Sequence, residues 1–116
     1  MRVLHLSLKA KWYDMIEIGV KTEEYREVKP YWIKRLCNEF YTDERCNTCS
    51  GEHCLECFHK FNRYECKHYD VVCFSYGYTK RKMLLEINNI SIGKGNPEWG
   101  ATDKEVFIIK LGKRLK

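Results

Sequence analysis

The chain has 116 residues, with 21 Lys and Arg against 16 Asp and Glu and a formal net charge of +5. That length fits one domain with a modest core, and the mild basic excess permits a nucleic-acid partner without demanding one. No run of about 18 apolar residues is present, so no transmembrane helix is expected. The apolar start at Val3-Leu4-His5-Leu6 is too short for a secretory signal, which makes a cytoplasmic location the expectation.

Arg2 to Leu6 reads as a first strand, interrupted by His5, which suits a hydrogen-bonded strand histidine better than a ligand. Ser7 is placed to cap the helix that follows through its hydroxyl. Lys9 to Ile18 reads as that helix, with Trp12, Met15 and Ile16 on one face. Gly19 is the expected stop, because glycine takes a left-handed conformation without a Cβ penalty. Glu23 to Val28 then reads as a strand. Its period of two puts Glu24 and Arg26 on one face and Glu23, Tyr25 and Glu27 on the other. On charge pattern alone this is a solvated turn with surface ion pairs.

Pro30 ends the strand and suits the start of a short helix, Tyr31 to Leu36. Tyr31 and Trp32 are either core rings or the aromatic wall of a pocket. Residues 37–68 hold six of the seven cysteines and read as an insertion. Asp70 to Tyr76 is an apolar strand in which Cys73 serves as a small buried hydrophobe. Gly77 and the basic run Lys80-Arg81-Lys82 form a turn, and Met83 to Ile90 is the next strand, with Glu86 facing either a cleft or solvent. Ser91 to Thr102 reads as a loop, and Val106 to Leu111 closes the pattern. Few helices among hairpin-linked strands imply an α+β fold with a small antiparallel or mixed barrel.

The inserted segment carries Cys46-x2-Cys49-x4-Cys54-x2-Cys57, with His53 and His59 close by. Two Cys-x2-Cys pairs supply the four thiolates that tetrahedral zinc takes. His59 is the alternative fourth ligand, in a set close to zinc-knuckle spacing. Cys37, Cys66 and His68 are further candidates from the flanks. A site closed by four protein ligands is structural, and metal binding would supply folding energy that so polar a segment lacks.

Gly19-x-Lys21-x-x-Glu24-x-Arg26 resembles the G-x-K-x-x-E-x-R signature of the ASCH domain, in the PUA-like superfamily. Further matches follow in order: Leu6-Ser7-Leu8-Lys9, Tyr31-Trp32, Phe74-Ser75-Tyr76-Gly77-Tyr78, Leu85-Glu86-Ile87, Gly93 to Gly100, and Phe107 to Leu111. The resemblance covers nearly all of the chain outside the Cys-rich insertion. It implies one domain over residues 1–116, a small PUA-like barrel with flanking helices, and binding of RNA or a nucleotide-like ligand beside the signature stretch.

The residues fit that expectation chemically. Lys9, Lys21 and Arg26 suit phosphate or a polar base edge. Glu24 suits an amino group, and Trp32, Tyr76 and Tyr78 offer faces for an unstacked base. Glu98 and Trp99 are the contacts expected from the 93–100 loop. The alternative is a small enzyme on RNA or a modified nucleoside, with Lys21 and Glu24 as acid and base. One ASCH subgroup hydrolyses the acyl amide of acetylated cytidine with a threonine placed two residues after the Thr22-like position. That residue is Glu24 here, which counts against a threonine nucleophile. A third reading is a protein-interaction module that works through the metal-bound insertion.

Overall fold

The computed structural model describes residues 2–37 and 66–116. The expected zinc ligands Cys46, Cys49, Cys54, Cys57 and His59 lie outside the described residues. The chain divides into two compact units, Met1–Arg26 with His68–Lys116, and Glu27–Lys67. The sequence reading begins the insertion at residue 37. The second unit begins earlier and takes in the helix that precedes it.

The elements run β1 (Val3–Leu8), α1 (Ala10–Glu17), β2 (Glu23–Glu27), α2 (Pro30–Leu36), β3 (Val71–Tyr76), β4 (Lys82–Gly93), a 3-10 turn (Pro97–Trp99) and β5 (Val106–Arg114). The five strands form one mixed, curled sheet in the order β1-β3-β4-β5-β2. Strand β1 pairs parallel with β3, from Val3 opposite Val71 to Leu8 opposite Tyr76. The pairs β3–β4 and β4–β5 are antiparallel.

Strand β1 alternates cleanly, with Leu4, Leu6 and Leu8 buried and His5 and Ser7 facing water. It runs two residues past the expected end, so Ser7 sits inside a strand and does not cap the helix. Lys9 takes the cap position, and no side chain hydrogen-bonds the helix start. The buried residues of α1 are Tyr13 and Ile16, while Trp12 and Met15 are half-buried. The buried stripe is therefore rotated from the expected Trp12-Met15-Ile16 face. The rotation brings the Tyr13 ring edge-on to Tyr76 of β3, with centroids 5.1 Å apart.

The helix ends as its glycine requires. Gly19 has φ +85°. Its N–H donates to the Ile16 carbonyl, while the Val20 N–H reaches back to Met15, 3.0 Å away. This is a Schellman stop. The Lys21 N–H also donates to the Met15 carbonyl, at 3.0 Å. The stop thus fixes the backbone from which Lys21 enters the core.

Strands β4 and β5 are both longer than their apolar runs. Two register shifts in β4, between Leu85 and Ile87 and between Ile87 and Asn89, change which positions point inward. Met83 and Leu85 are buried before the shifts and Ile90 after them, and Glu86 faces solvent. Phe74, Val72, Phe107 and Ile109 are fully enclosed. Cys73 is half-buried, not enclosed, because it alternates with Val72 and Phe74 and points to the other side of β3.

In the second unit, Pro30 opens α2, and Ile33 and Leu36 are its buried residues. Tyr31 is exposed and Trp32 half-buried. Their rings meet edge-on at 4.8 Å, with the Arg35 guanidinium over both. Among the described residues, no helix is long and apolar enough to cross a membrane.

Candidate functional site

The site grows from the turn between α1 and β2. The helix stop delivers Lys21, and the pleat of β2 puts Glu24 and Arg26 on one face. Lys21 is 2 % exposed and Glu24 4 %, the two buried charged residues of the described chain. The Lys21 amine lies 3.1 Å from Glu24 Oε1. The other carboxylate oxygen, Oε2, accepts from Arg26 at 2.5 Å. One carboxylate therefore holds two cations, one on each oxygen. Charge pattern alone puts these ions on the surface; in the fold the lysine and the carboxylate are enclosed.

The enclosure comes from the loop after β4. The Lys21 amine donates to the Trp99 carbonyl at 2.7 Å. It also lies 5.0 Å from the centre of the Trp12 ring and 4.8 Å from that of Tyr25. Burial lowers the lysine pKa, against the pull of Glu24 in the other direction.

A second clasp sits beside the first. The Tyr25 hydroxyl donates to Glu23 Oε1 at 2.7 Å and accepts from the Asn96 N–H at 2.9 Å. The loop closes tightly enough that Gly95 is required. A Cβ there would lie 2.6 Å from the Tyr25 ring and 2.8 Å from Ala101. Gly100 follows the 3-10 turn at φ +99°, against the Trp12 ring.

Glu98 is exposed, and its N–H donates to Asn96 Oδ1 within the turn. Trp99 contributes through its backbone. Tyr76 is a packing ring, half-buried under Arg81, whose guanidinium stacks on Tyr13 and Tyr76 and pairs with Glu17 at 2.7 Å. Tyr78 stands wholly in water at the tip of the β3–β4 turn. The Gly77 N–H donates to the Leu8 carbonyl at 2.8 Å, which joins this turn to the β1–α1 junction at Lys9. Lys9, Lys80 and Lys82 are all exposed. Trp32 belongs to the second unit.

Of the expected residues, Lys21 and Arg26 both touch Glu24, and the Trp99 carbonyl meets Lys21. Lys9 and Tyr78 stand with Lys80 and Lys82 around the β3–β4 turn, Tyr76 packs under Arg81, and Glu98 is exposed in its own turn. Trp32 is in the second unit. Sequence reasoning missed Trp12, Tyr25, Asn96 and Gly95. Only Gly95, in a Gly-Lys-Gly-Asn run, carried a visible signal of close backbone approach. Among the described residues, no group of three or more His, Cys, Asp or Glu is placed to hold a metal ion.

Tyr25 gives the loop clasp a pH signature. Its phenol is pushed up to about 12, mainly by burial, with the Asn96 amide opposing and Glu23 adding to the rise. A group whose pKa is raised on folding stabilises fully below its unfolded value. Here that value is near 10, and the contribution is lost as pH rises through about 12. Tyr25→Phe is expected to cost about 1–3 kcal/mol at neutral pH, because the Asn96 N–H and Glu23 lose a partner. Stability should then fall less steeply between pH 10 and 12. Urea unfolding over a pH series checks both, and an unchanged alkaline slope would remove Tyr25 from the clasp.

A small α+β domain with a curled mixed sheet and a buried Lys–Glu pair, flanked by a half-buried Arg, under a clasped loop is thus the class that these residues define. Compared with known proteins, the chain matches no family model, no curated protein and no solved structure.

Proposed function

We propose that the chain is an ASCH-type, PUA-like domain that binds single-stranded RNA or a nucleotide-like ligand. One observation carries the reading: Lys9, Tyr78, Lys80 and Lys82 all stand in water around one hairpin turn that is tied to the start of α1. Ammonium groups beside an exposed ring suit a backbone phosphate and an unstacked base together. The buried Lys21–Glu24 pair, with the half-buried Arg26, anchors the neighbouring loop and strand.

The test is fluorescence anisotropy of a short single-stranded RNA at roughly 50 and 200 mM salt. The comparison is between the wild-type chain and Lys9→Ser/Lys80→Ser/Lys82→Ser. Each lost phosphate contact lowers the salt slope by about 0.7 for a single strand, so the triple variant should lose about 2. Its affinity should fall at least tenfold at the lower salt. Equal affinity and equal slope would end this reading.

A second reading has its own support in the Lys21–Glu24 contact of 3.1 Å and the lowered lysine pKa. An amine with a lowered pKa beside a carboxylate suits acid–base cleavage of RNA or hydrolysis of a modified nucleoside. The same RNA, followed by gel after the titration, separates binding from turnover. Cleavage that disappears in Lys21→Met, with RNA still bound, would favour the enzyme.

A further inference from the structure

We propose that Cys37 and Cys66 form a dithiol site that reacts with small disulfides of the glutathione type and closes to a cross-strand disulfide. The two residues face each other in an isolated antiparallel bridge. The Lys67 N–H donates to the Leu36 carbonyl at 2.8 Å, from the positions flanking the pair. That places Cys37 and Cys66 in a non-hydrogen-bonded rung, where Cα atoms sit about 4.5 Å apart and side chains converge. The spacing falls within the range a disulfide spans. Both thiols are reduced in the structure.

The pair is asymmetric in a way that sets the order of reaction. Cys37 is 1 % exposed, whereas Cys66 is half-buried and within reach of solvent. Cys66 is therefore the sulfur that a small disulfide reaches first, and Cys37 the one that resolves the mixed disulfide.

The chemistry balances. The Cys66 thiolate attacks one sulfur of the small disulfide, forming a mixed disulfide and releasing one glutathione thiolate. With Cys66 bonded, Cys37 is the remaining thiol of the rung and faces the mixed disulfide. Its sulfur then attacks Cys66 Sγ, the mixed disulfide breaks, and the second glutathione leaves with the Cys37 proton. Two protein thiols are oxidised and one small disulfide is reduced to two thiols. The product ties Cys37, at the end of α2, to Cys66 across the intervening segment.

The test uses the full chain in glutathione buffers of stepped redox ratio, quenched with an alkylating agent and mapped by peptide mass spectrometry. The Cys37–Cys66 linked peptide should appear at a lower proportion of oxidised glutathione than any other disulfide. Early time points should carry glutathione on Cys66 and none on Cys37. Cys37→Ser should stop at the Cys66 mixed disulfide, and Cys66→Ser should leave Cys37 unmodified. Recovery of both residues singly alkylated, after the other thiols have oxidised, would overturn the proposal. So would links from either residue mainly to cysteines 46–57, or glutathione on Cys37 first. The wild-type time course decides the matter even if a variant fails to fold.

Discussion

Lys21→Met is expected to lower the free energy of unfolding by about 3–5 kcal/mol, the range for breaking a buried ion pair from one side. Methionine keeps most of the side-chain volume, so the loss is electrostatic and not a cavity effect. It strips the cation from Glu24 Oε1 and the donor from the Trp99 carbonyl, while Glu24 stays 4 % exposed. Arg26 still neutralises Oε2, so the lower half of the range is the better expectation for Met. Glu24→Gln is expected to cost a similar amount, because it leaves Lys21 enclosed among two rings and a carbonyl with no counter-charge.

The double variant Lys21→Met/Glu24→Leu makes the argument sharper. Removing both charges replaces a desolvated pair with apolar groups, which is often neutral or stabilising. Arg26 is 18 % exposed at its side chain and keeps water and the Tyr25 and Ser7 carbonyls once Glu24 is gone. The double variant should therefore be less destabilised than the sum of the single variants Lys21→Met and Glu24→Leu, by about 1.5–3 kcal/mol. Urea melts followed by tryptophan fluorescence provide the cycle, and Trp12 beside Lys21 makes the signal local. Strict additivity would mean that the lysine and the glutamate are stabilised independently.

Local rules made part of this site readable in advance. Gly19 stops the helix because its left-handed conformation needs no other residue's help. The period of two put Glu24 and Arg26 on one face because a pleat has no other option. What the pattern could not convey was supplied from far along the chain. The third partner of Lys21 is a backbone carbonyl 78 positions away, and any residue at position 99 offers the same oxygen. The burial of Tyr13 depends on Tyr76, which only the parallel pairing of β1 with β3 brings near. The inward phase of β4 changes at its bulges, whose positions depend on β5. The Cys37–Cys66 rung escaped notice for a similar reason. Cysteine spacing draws attention to near neighbours in sequence, and this pair is separated by the whole segment between them.

Arg26→Lys is expected to cost about 1–3 kcal/mol, although the charge is kept. The sheet order leaves β1 and β2 at its two ends. One guanidinium joins them: Arg26 Nη1 donates to Glu24 Oε2 and to the Tyr25 carbonyl, at 2.8 Å for the carbonyl, and Nη2 donates to the Ser7 carbonyl at 3.2 Å. A planar fork serves acceptors on both strands at once, and a single ammonium on a flexible stem does not. Hydrogen exchange should quicken in β1 and β2 more than in β3 and β4, whose ladders do not pass through Arg26. RNA affinity separates this structural role from contact with a ligand. The Lys9–Tyr78 surface is held by the Gly77 N–H on the Leu8 carbonyl, a hydrogen bond that Arg26 does not touch. A folded Arg26→Lys chain should therefore bind RNA within about threefold of wild type, a difference of less than 1 kcal/mol. A larger loss, with exchange in β1 and β2 unchanged, would mean that Arg26 touches the ligand itself and that the two sheet edges are held by other means.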